Sequence, residues 1–382
     1  MRVAVVTESF LPSLNGVTTS VLRVLEQFAE RGIEALVLCP NAGAPREYAG
    51  HRVIQLPALA YRDFPVGLPN PAMAKALAAF RPDIVHAASP FLLGGQAIAA
   101  AARTGVPSVA VYQTDVARFA ARYGIRGARA LAWKVIASVH AQATLTLAPS
   151  SSAMEDLHAA GIERTALWGR GVQSERFHPR ARASSYAQDA RAGLGEDVLV
   201  GYIGRLSPDK RVERLAAIDS LPRTRLLIGG HGPSAGSVRA ALGADTVFTG
   251  RLDGERLPAT YAALDIFVHT GTEETFGQSI QEAHASGIPV VAPHAGGPSD
   301  LIEHGVDGLF YAPESDFDLR RQVARLVADS VLRARMGEAG RRRVLGRTWS
   351  VVTDELLAHY AGARELPRYT TGAAQTDRLR LT

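Results

Sequence analysis

Residues 266–287 read IFVHTGTEETFGQSIQEAHASG and contain a complete strand–loop–helix unit. The apolar run at the start predicts a strand that ends near His269. The pattern that follows predicts a helix over Gly277–Ser286, which Gly287 closes as a C-terminal cap. A polar loop between a buried strand and a helix is where α/β proteins place ligand-binding groups. This stretch therefore predicts both the fold class and the position of a site.

Two carboxylates flank the start of this predicted helix. Glu274 lies just before the helix and Glu282 lies about five residues inside it. At a rise of about 1.5 Å per residue, the two groups are too far apart to share one metal ion or proton. We expect them to contact different parts of one extended ligand. Without further context, the simpler interpretation is that Glu274 complements the helix dipole and that Glu282 is a solvated side chain. Neighbouring segments must therefore decide whether the pair binds a ligand.

The same alternation of short apolar runs and helical patterns continues along the whole chain, and it is typical of βαβ units with parallel sheets. A first series of predicted strands lies at Arg2–Thr7, Glu34–Cys39, Arg52–Leu56, Asp83–Ala87, Ser108–Tyr112, Ala143–Leu147 and Ala166–Trp168. A second series lies at Val198–Ile203, Arg225–Ile228, Thr246–Thr249, Ile266–His269, Pro289–Ala292 and Gly308–Tyr311. Residues 175–196 contain Pro179 and no apolar periodicity, and we interpret them as a linker and the entry to a second domain.

Two series of strands predict two α/β domains, each a doubly wound, Rossmann-like unit. We place the first domain at residues 1–174 and the second at 175–349, with the carboxyl ends of both sheets facing a shared cleft. A last helix at 350–364 is expected to pack back on the first domain. Residues 365–382 are polar and are predicted to form a flexible tail.

Composition excludes several classes of protein. The 382 residues carry a net charge of +5 and 47% hydrophobic side chains, which excludes a disordered or collagen-like chain. The lone Cys39 excludes an intrachain disulfide and a cysteine-rich zinc site. The N-terminus meets an acid after four apolar residues, and no stretch approaches the roughly 20 apolar residues of a membrane span. The expected location is the cytoplasm.

The Glu274-Thr275-Phe276-Gly277 segment with Glu282 resembles the hallmark of a known family. Glu, seven residues and Glu, with Phe-Gly after the first Glu, is similar to the pattern of retaining glycosyltransferases of the two-Rossmann (GT-B) type in family 4. The resemblance extends to about residue 363. It implies that Glu274 and Thr275, with the amides of Phe276 and Gly277, hold the donor sugar, and that Glu282 binds the nucleotide ribose.

Three further segments match this family. In Gly204-Arg205-Leu206-Ser207-Pro208-Asp209-Lys210-Arg211, the resemblance implies that Arg205 and Lys210 bind the donor diphosphate. Two cations at a strand end can neutralise a leaving group that gains charge as the glycosidic bond breaks. Residues 13–17 look like the family's glycine loop, with Gly16 approaching the donor phosphates. Residues 294–300 resemble its glycine-rich loop, which we interpret as structural support of the cleft.

Two other motifs have simpler explanations. Residues 230–235 satisfy the dinucleotide pattern G-x-G-x-x-A, but a dehydrogenase would carry it near its first strand and place an acid about 20 residues later. Here those positions are Gly250 and Arg251. The resemblance implies that the nucleotide base contacts the backbone around Gly250–Leu252, with Arg251 in the donor site. The Asp-x-Asp at residues 316–318 resembles a metal motif of a different fold, and we interpret it as helix capping.

One segment departs from the family pattern. Many relatives have a histidine beside the transferred sugar, at the end of a first-domain strand. This chain has Tyr112-Gln113-Thr114-Asp115 there. Gln113 can hydrogen-bond a sugar hydroxyl but cannot take a proton near neutral pH. Asp115 is the candidate substitute, as a base or as a group that orients the acceptor.

The pairing of residues 1–21 with residues 111–125 is similar to the actinobacterial GDP-mannose-dependent α-mannosyltransferases of glycolipid assembly. That resemblance implies α-mannosyl transfer from GDP-mannose to a glycolipid of the phosphatidylinositol mannoside or glycosyl-diacylglycerol type. No cofactor is required, and a divalent metal, if it stimulates the reaction, is not expected to be bound by the protein. Two alternatives stay open: transfer of glucose, glucuronate or sulfoquinovose from UDP, and a nucleotide-sugar-binding protein or epimerase without transfer activity.

A basic segment suggests the partner surface. Residues 116–154 contain five cations and no carboxylate, interleaved with aromatic residues. The cations are Arg118, Arg122, Arg126, Arg129 and Lys134. Such a segment suits an anionic lipid surface, here the inner face of the plasma membrane, although an arginine-rich solvated helix would look the same. The expected partners are a nucleotide-sugar donor, a lipid-linked acceptor and an anionic membrane, with no nucleic acid; the sequence leaves the oligomeric state open.

Overall fold

The computed structural model describes residues 1–41, 43–61, 64–68, 70–88, 90–113 and 128–366. The chain forms two compact units, and each is built on a parallel sheet. One unit contains Met1–Gly169 together with the chain from Val352 onward, and the other contains Arg170–Val351. The chain therefore enters the second unit at Arg170. The sequence analysis placed this boundary a few residues later, between residues 174 and 175.

The first unit is organised around an eight-stranded sheet with the order β10-β9-β8-β7-β1-β2-β4-β3. Its strands are β1 Arg2–Thr7, β2 Glu34–Pro40, β3 Glu47–Tyr48, β4 His51–Leu56, β7 Ile84–Ala88, β8 Ser108–Val111, β9 Leu145–Ala148 and β10 Thr165–Leu167. All neighbours are parallel except β3 and β4. A separate hairpin pairs β5 Ala58–Tyr61 with β6 Phe64–Gly67. The sequence prediction missed β3 and this hairpin, since neither shows a clear two-residue alternation.

Helices connect the parallel strands of the first unit. They are α1 Gly16–Glu30, α2 Pro71–Phe80, α3 Leu92–Thr104, α4 Ala128–Gln142 and α5 Ser151–Ala159. A C-terminal helix, Trp349–Glu365, buries Val352, Leu356 and Tyr360 completely. The Tyr360 hydroxyl lies 2.7 Å from His86 Nδ1, and the Trp168 Nε1–H donates to the Val352 carbonyl. Most of this helix is thus part of the first unit's core, while the predicted flexible tail, from residue 367 on, lies outside the described residues.

The second unit has a six-stranded parallel sheet with the order β13-β12-β11-β14-β15-β16. Its strands are β11 Val198–Ile203, β12 Thr224–Gly229, β13 Val247–Gly250, β14 Ile266–Val268, β15 Val290–Pro293 and β16 Gly308–Tyr311. Its helices are α6 Ser185–Ala190, α7 Ala216–Asp219, α8 Ala235–Ala241, α9 Arg256–Ala263, α10 Gln278–Ala285, α11 Pro298–Leu301, α12 Asp316–Ala328 and α13 Ser330–Leu345. Single 3₁₀ turns lie at Pro179–Ala183, Pro208–Lys210 and Val212–Leu215.

The strand order of the second sheet fixes where its loops meet. From β11 the chain winds outward through β12 and β13, then returns to place β14 on the other side of β11. The reversal makes the carboxyl ends of β11 and β14 a topological switch point, where open α/β sheets bind ligands. The loops that follow these two strands, residues 204–210 and 269–277, therefore lie side by side.

The interpretation of residues 175–196 as a linker is wrong. Phe177, Ala187 and Leu194 are buried in the core of the second unit. Arg182 and Arg191 both bind the Asp265 carboxylate, at 2.6 and 2.9 Å. Of these three buried residues only Ala187 lies in α6, whose six residues are too few for a helical period to show in the sequence. The other two lie outside both α6 and the 3₁₀ turn, so no regular element marks them.

The described part of the chain contains no helix that is long and apolar enough to cross a membrane.

Candidate functional site

The switch point of the second sheet holds a partly buried ion pair. The Lys210 Nζ donates to Glu274 Oε2 at 2.6 Å and lies 3.5 Å from Asp209 Oδ2. The Thr270 hydroxyl donates to the Lys210 carbonyl at 2.6 Å, which ties the two loops together. The side chains of Lys210 and Glu274 are about one-fifth exposed (21% and 19%), so the pair is shielded but reachable by a ligand.

The loop after β11 is shaped by its own short contacts. The Tyr202 hydroxyl donates to the Arg205 carbonyl at 3.0 Å. The Ser207 hydroxyl donates to Asp209 Oδ1 at 2.6 Å as the 3₁₀ turn begins. Arg211, which ends the turn, has a φ of 48°, in the left-handed region. This turn directs Lys210 toward Glu274, whereas Arg205 lies exposed at the end of the strand.

The charges in this pair stabilise each other. Burial raises the pKa of Glu274, but the charge and hydrogen bond of Lys210, together with the other cationic groups around it, outweigh burial and hold that pKa well below its usual range. Burial lowers the pKa of Lys210, and Glu274 and Asp209 reverse the effect, so the net shift is upward. His269 Nε2 lies 4.0 Å from Glu274 Oε2, and burial lowers the pKa of this imidazole to about 4. His269 is therefore neutral near pH 7.

The glycine-rich loop at residues 294–300 supports the Glu274 loop through backbone contact. The Gly297 N–H donates to the Glu274 carbonyl at 2.8 Å. A Cβ on Gly296 would lie 2.5 Å from that same carbonyl oxygen, and a Cβ on Gly297 would lie 2.4 Å from the Phe276 carbonyl oxygen. Gly296 also has a φ of 63°. These glycines let two backbones approach more closely than any side chain allows.

The G-x-G-x-x-A segment supports the Arg205 loop in the same way. The Leu206 N–H donates to the His231 carbonyl at 3.1 Å, and the Ser234 N–H donates to the Leu206 carbonyl at 2.9 Å. A Cβ on Gly230 would lie 1.8 Å from the Gly204 carbonyl oxygen. The glycines of this segment are thus accounted for by close packing against the neighbouring loop.

Glu282 lies in α10, half-buried, on the side of Tyr261. The Tyr261 hydroxyl donates to its carboxylate, and Arg176 and Arg170 face it as cations. Burial raises the pKa of Glu282 to about 7, although the hydrogen bond and both arginines lower it. The two glutamates therefore have opposite tendencies: Glu274 stays ionised, and Glu282 changes its protonation near neutral pH.

Sequence reasoning missed Arg170, which is 8% exposed. Its guanidinium Cζ lies 5.8 Å from the centroid of the Phe276 ring and interacts electrostatically with the carboxylates of Glu274 and Glu282. Arg176 and Tyr261 were missed as well. All three lie outside the recognised motifs, and no local pattern identifies them.

The remaining candidates of the second unit occupy loop ends. Thr275 and Gly277 lie between Glu274 and α10, and Gly277 has a φ of 106°. Arg251 is exposed directly after β13. The Asp316 and Asp318 pair lies in the first turn of α12, where the Ser315 hydroxyl accepts from the Asp318 N–H.

The first unit has its own switch point between β1 and β7, and two further candidates follow β1 and β8. Gly16 opens α1, whose N-terminus is capped by Asn15, and Gln113 is buried just after β8. Asp115 lies outside the described residues. Glu8, which the sequence did not single out, accepts from the Phe91 and Gly94 N–H groups at 3.0 Å each and so occupies the start of α3.

Among the described residues, we find no group of three or more His, Cys, Asp or Glu side chains that could hold a metal ion.

The sequence profile of Glycosyltransferase Family 4 matches residues 14–176, and that of Glycosyl transferases group 1 matches residues 187–343. The chain is 46% identical over 373 residues to a GDP-mannose-dependent alpha-mannosyltransferase of Mycolicibacterium smegmatis, covering 94% of this chain and 97% of that protein. The chain belongs to glycosyltransferase family 4. It is also 34% identical over 339 residues to a sulfoquinovosyl transferase of Arabidopsis thaliana, covering 86% of this chain and 66% of that one.

The fold of this family 4 glycosyltransferase has solved counterparts. The Anabaena protein HepE, crystallised with UDP and glucose, matches with a TM-score of 0.72 and 21% identity over 94% of this chain and 99% of that one. The two parallel-sheet α/β units are those of the GT-B class, as the sequence predicted. The prediction of a glycosyltransferase is likewise confirmed.

Proposed function

We propose that this glycosyltransferase transfers mannose from GDP-mannose to a glycolipid acceptor, with retention of configuration. The observation that carries the proposal is the 46% identity, over nearly the full length of both chains, to a GDP-mannose-dependent alpha-mannosyltransferase. The Lys210–Glu274 pair at the switch point supports it, because this is the position at which an α/β sheet receives a nucleotide-linked ligand.

In this proposal the cations act on the donor diphosphate. Arg205 and Lys210 neutralise the charge that develops as the bond between mannose and phosphate breaks. Lys210 is oriented by Glu274 before the donor arrives, so little reorganisation is needed at the moment of reaction. The contribution is electrostatic, and the proposal includes no metal ion bound by the protein.

The two glutamates bind separate parts of the donor. Glu274 is held ionised and accepts hydrogen bonds from mannose hydroxyls. The backbone N–H groups of Phe276 and Gly277 donate hydrogen bonds to the same sugar. Glu282 accepts from the nucleotide ribose. Gly16, Arg251 and Thr275 complete the proposed donor contacts.

Among the acceptor-side candidates, Gln113 cannot take a proton near neutral pH. Gln113 orients a sugar hydroxyl, and the departing diphosphate takes the proton of the acceptor hydroxyl on the same face. Asp115 is proposed as an orienting group for the acceptor.

The acceptor is proposed to be presented at an anionic membrane, on the inner face of the plasma membrane. Support comes from the basic composition of residues 116–154. Within the described part of that segment, Lys134 is exposed on α4, and Val135 beside it is 38% exposed. A cation next to an apolar side chain suits the headgroup region.

A donor panel tests the proposal. The melting temperature of the protein is measured with GDP-mannose, GDP-glucose, UDP-glucose and UDP-sulfoquinovose, and transfer from radiolabelled donor to phosphatidylinositol mannoside or diacylglycerol lipids is measured in parallel. A ligand at 100 times its Kd adds about 2.7 kcal/mol to stability, so a strong shift with the GDP-sugars and none with the UDP-sugars is expected, with transfer from GDP-mannose. A shift and transfer with a UDP-sugar only would overturn the donor assignment. Binding without transfer or hydrolysis of any donor would indicate a nucleotide-sugar-binding protein.

A further inference from the structure

His269, directly after β14, is a buried polar side chain that the proposed reaction does not use. It is 1% exposed, and neither Nδ1 nor Nε2 has a hydrogen-bond partner in the part of the chain that the structure describes. Buried polar groups are normally paired, because an unpaired one has lost its hydration without compensation. A partner that His269 gains only when the donor binds would account for this exception.

The backbone and the neighbours of His269 fix the position of its ring. The His269 N–H donates to the Val291 carbonyl at 2.8 Å, and the Tyr311 hydroxyl donates to the His269 carbonyl at 3.3 Å. The Gly271 backbone borders the ring, since a Cβ on Gly271 would lie 3.4 Å from Nε2. A new contact of the imidazole must therefore come from movement of a neighbouring side chain.

The neighbour in question is the Glu274 carboxylate. Its Oε2 accepts from the Lys210 Nζ at 2.6 Å and lies 4.0 Å from His269 Nε2. A separation of 4.0 Å is too long for a hydrogen bond, but a movement of about 1 Å toward the ring would form one. Lys210, Glu274 and Asp209 are the charged groups that face His269. A neutral imidazole has one N–H, and with that proton on Nε2 it can donate to Glu274.

Donor binding supplies a reason for this movement. In the proposed function the donor diphosphate binds Lys210, and it then competes with Glu274 for the same ammonium group. Two anions beside one cation repel each other, so the carboxylate is driven away from Lys210. A shielded carboxylate that loses its counter-ion is strongly destabilised unless another donor replaces it. The His269 Nε2–H is suited to be that donor.

We propose that His269 is a positioning residue, whose Nε2–H binds the Glu274 carboxylate when the donor diphosphate engages Lys210, and so holds Glu274 toward the donor sugar. This inference rests on the proposed function. It deepens that function by adding an exchange of hydrogen-bond partners: Glu274 is paired with Lys210 before the donor binds and with His269 afterwards.

The test is a double-mutant cycle on the affinity for GDP, measured by calorimetry on the full chain. His269→Leu is expected to weaken GDP binding about tenfold, because the displaced Glu274 carboxylate then has no donor. In a Glu274→Gln background the same substitution should change the affinity less than about twofold, since no carboxylate has to be accommodated. Melting temperatures of the four unliganded proteins should show nearly additive changes, because the two side chains are 4.0 Å apart in that state.

Two further variants separate the hydrogen bond from a structural effect. His269→Gln keeps an N–H donor and should bind GDP within about twofold of wild type. His284→Leu is the matched control: His284 is also fully buried, in the same unit, and packs at Gly340, so its loss should leave GDP affinity unchanged. If His269→Leu does not fold, His269→Phe replaces it, because a phenyl ring fills the site without a donor.

The outcomes distinguish the inference from the function on which it rests. Absence of GDP binding by the wild type overturns both. Binding by the wild type, with His269→Leu weakened equally in the wild-type and Glu274→Gln backgrounds or in neither, overturns the role of His269 and leaves the proposed function standing. A glutamine variant that binds GDP no better than the leucine variant would likewise show that the N–H donor is not what matters.

Discussion

At the scale of single residues, Arg205 and Lys210 share a proposed role but differ in their surroundings. Arg205 is exposed, whereas Lys210 is paired with Glu274 at 2.6 Å. We expect Arg205→Ala and Lys210→Ala each to reduce kcat roughly 10²–10³-fold. Lys210→Ala should also destabilise the protein by about 1–3 kcal/mol, because it leaves a buried carboxylate without its counter-ion.

A double substitution checks this distinction. Adding Glu274→Gln to Lys210→Ala removes the orphaned charge, so the melting temperature should recover while activity stays lost. Kinetics with GDP-mannose and thermal unfolding of the four proteins provide the measurement. Near-normal activity of both alanine variants would show that the diphosphate binds elsewhere.

Glu282 predicts a pH dependence of stability for the unliganded protein. Its pKa is raised by burial from 4.5 to about 7, so between these values the folded protein holds a proton that the unfolded chain has released. The free energy of unfolding should therefore fall as pH rises through this window, and stay level above it. The Glu282→Gln variant has no carboxyl group at this position, so its free energy of unfolding should not fall for this reason. The variant should gain about 1–3 kcal/mol relative to wild type between pH 4.5 and pH 8.

Melting curves of both proteins at several pH values measure this difference. The titration of Glu274 is common to wild type and variant and cancels in the comparison. A difference in stability that is constant with pH would contradict the raised pKa of Glu282.

At the scale of elements, the glycine-rich loop before α11 determines the position of the Glu274 loop. Gly297→Ala places a methyl group within 2.4 Å of the Phe276 carbonyl oxygen, so one of the two loops must move. A shift near 1 Å at a binding group can reduce turnover about 10²-fold. The matched control is Gly236→Ala in α8, where a Cβ meets no atom within 4 Å.

The expected result is loss of mannosyl transfer in Gly297→Ala and wild-type transfer in Gly236→Ala. The control should be as stable as wild type or more so, because alanine favours a helix. Full activity of Gly297→Ala would mean that the backbone contact does not position Glu274 or Phe276.

At the scale of the whole molecule, the basic segment predicts reversible attachment to anionic lipid. Each cation near an anionic leaflet contributes about 1 kcal/mol, and salt screens it. We expect the protein to float with vesicles containing phosphatidylinositol at low salt and to be released at high salt. A variant with Arg118, Arg122, Arg126 and Arg129 changed to Gln should float less. Equal flotation of both proteins, or none at low salt, would remove the electrostatic argument.

Much of the element order is determined by the sequence itself. The bounds of β1, β11 and β16 agree with the predicted Arg2–Thr7, Val198–Ile203 and Gly308–Tyr311, and most other strands differ by one or two residues. Apolar runs, helical periods and capping residues act over a few neighbours, so one sequence suffices to recognise them. The same holds for the Glu274 motif, whose strand, loop and helix are contiguous in the chain.

The tertiary structure alone decided how the candidate site is assembled. Lys210 and Glu274 meet across 64 residues, because the strand order places β14 beside β11. Arg170 reaches the same site from the point where the chain enters the second unit, and residues 175–196 pack into its core instead of linking two domains. The physical reason is that these contacts depend on strand pairing and on burial against distant residues, neither of which leaves a periodic signal in the local sequence.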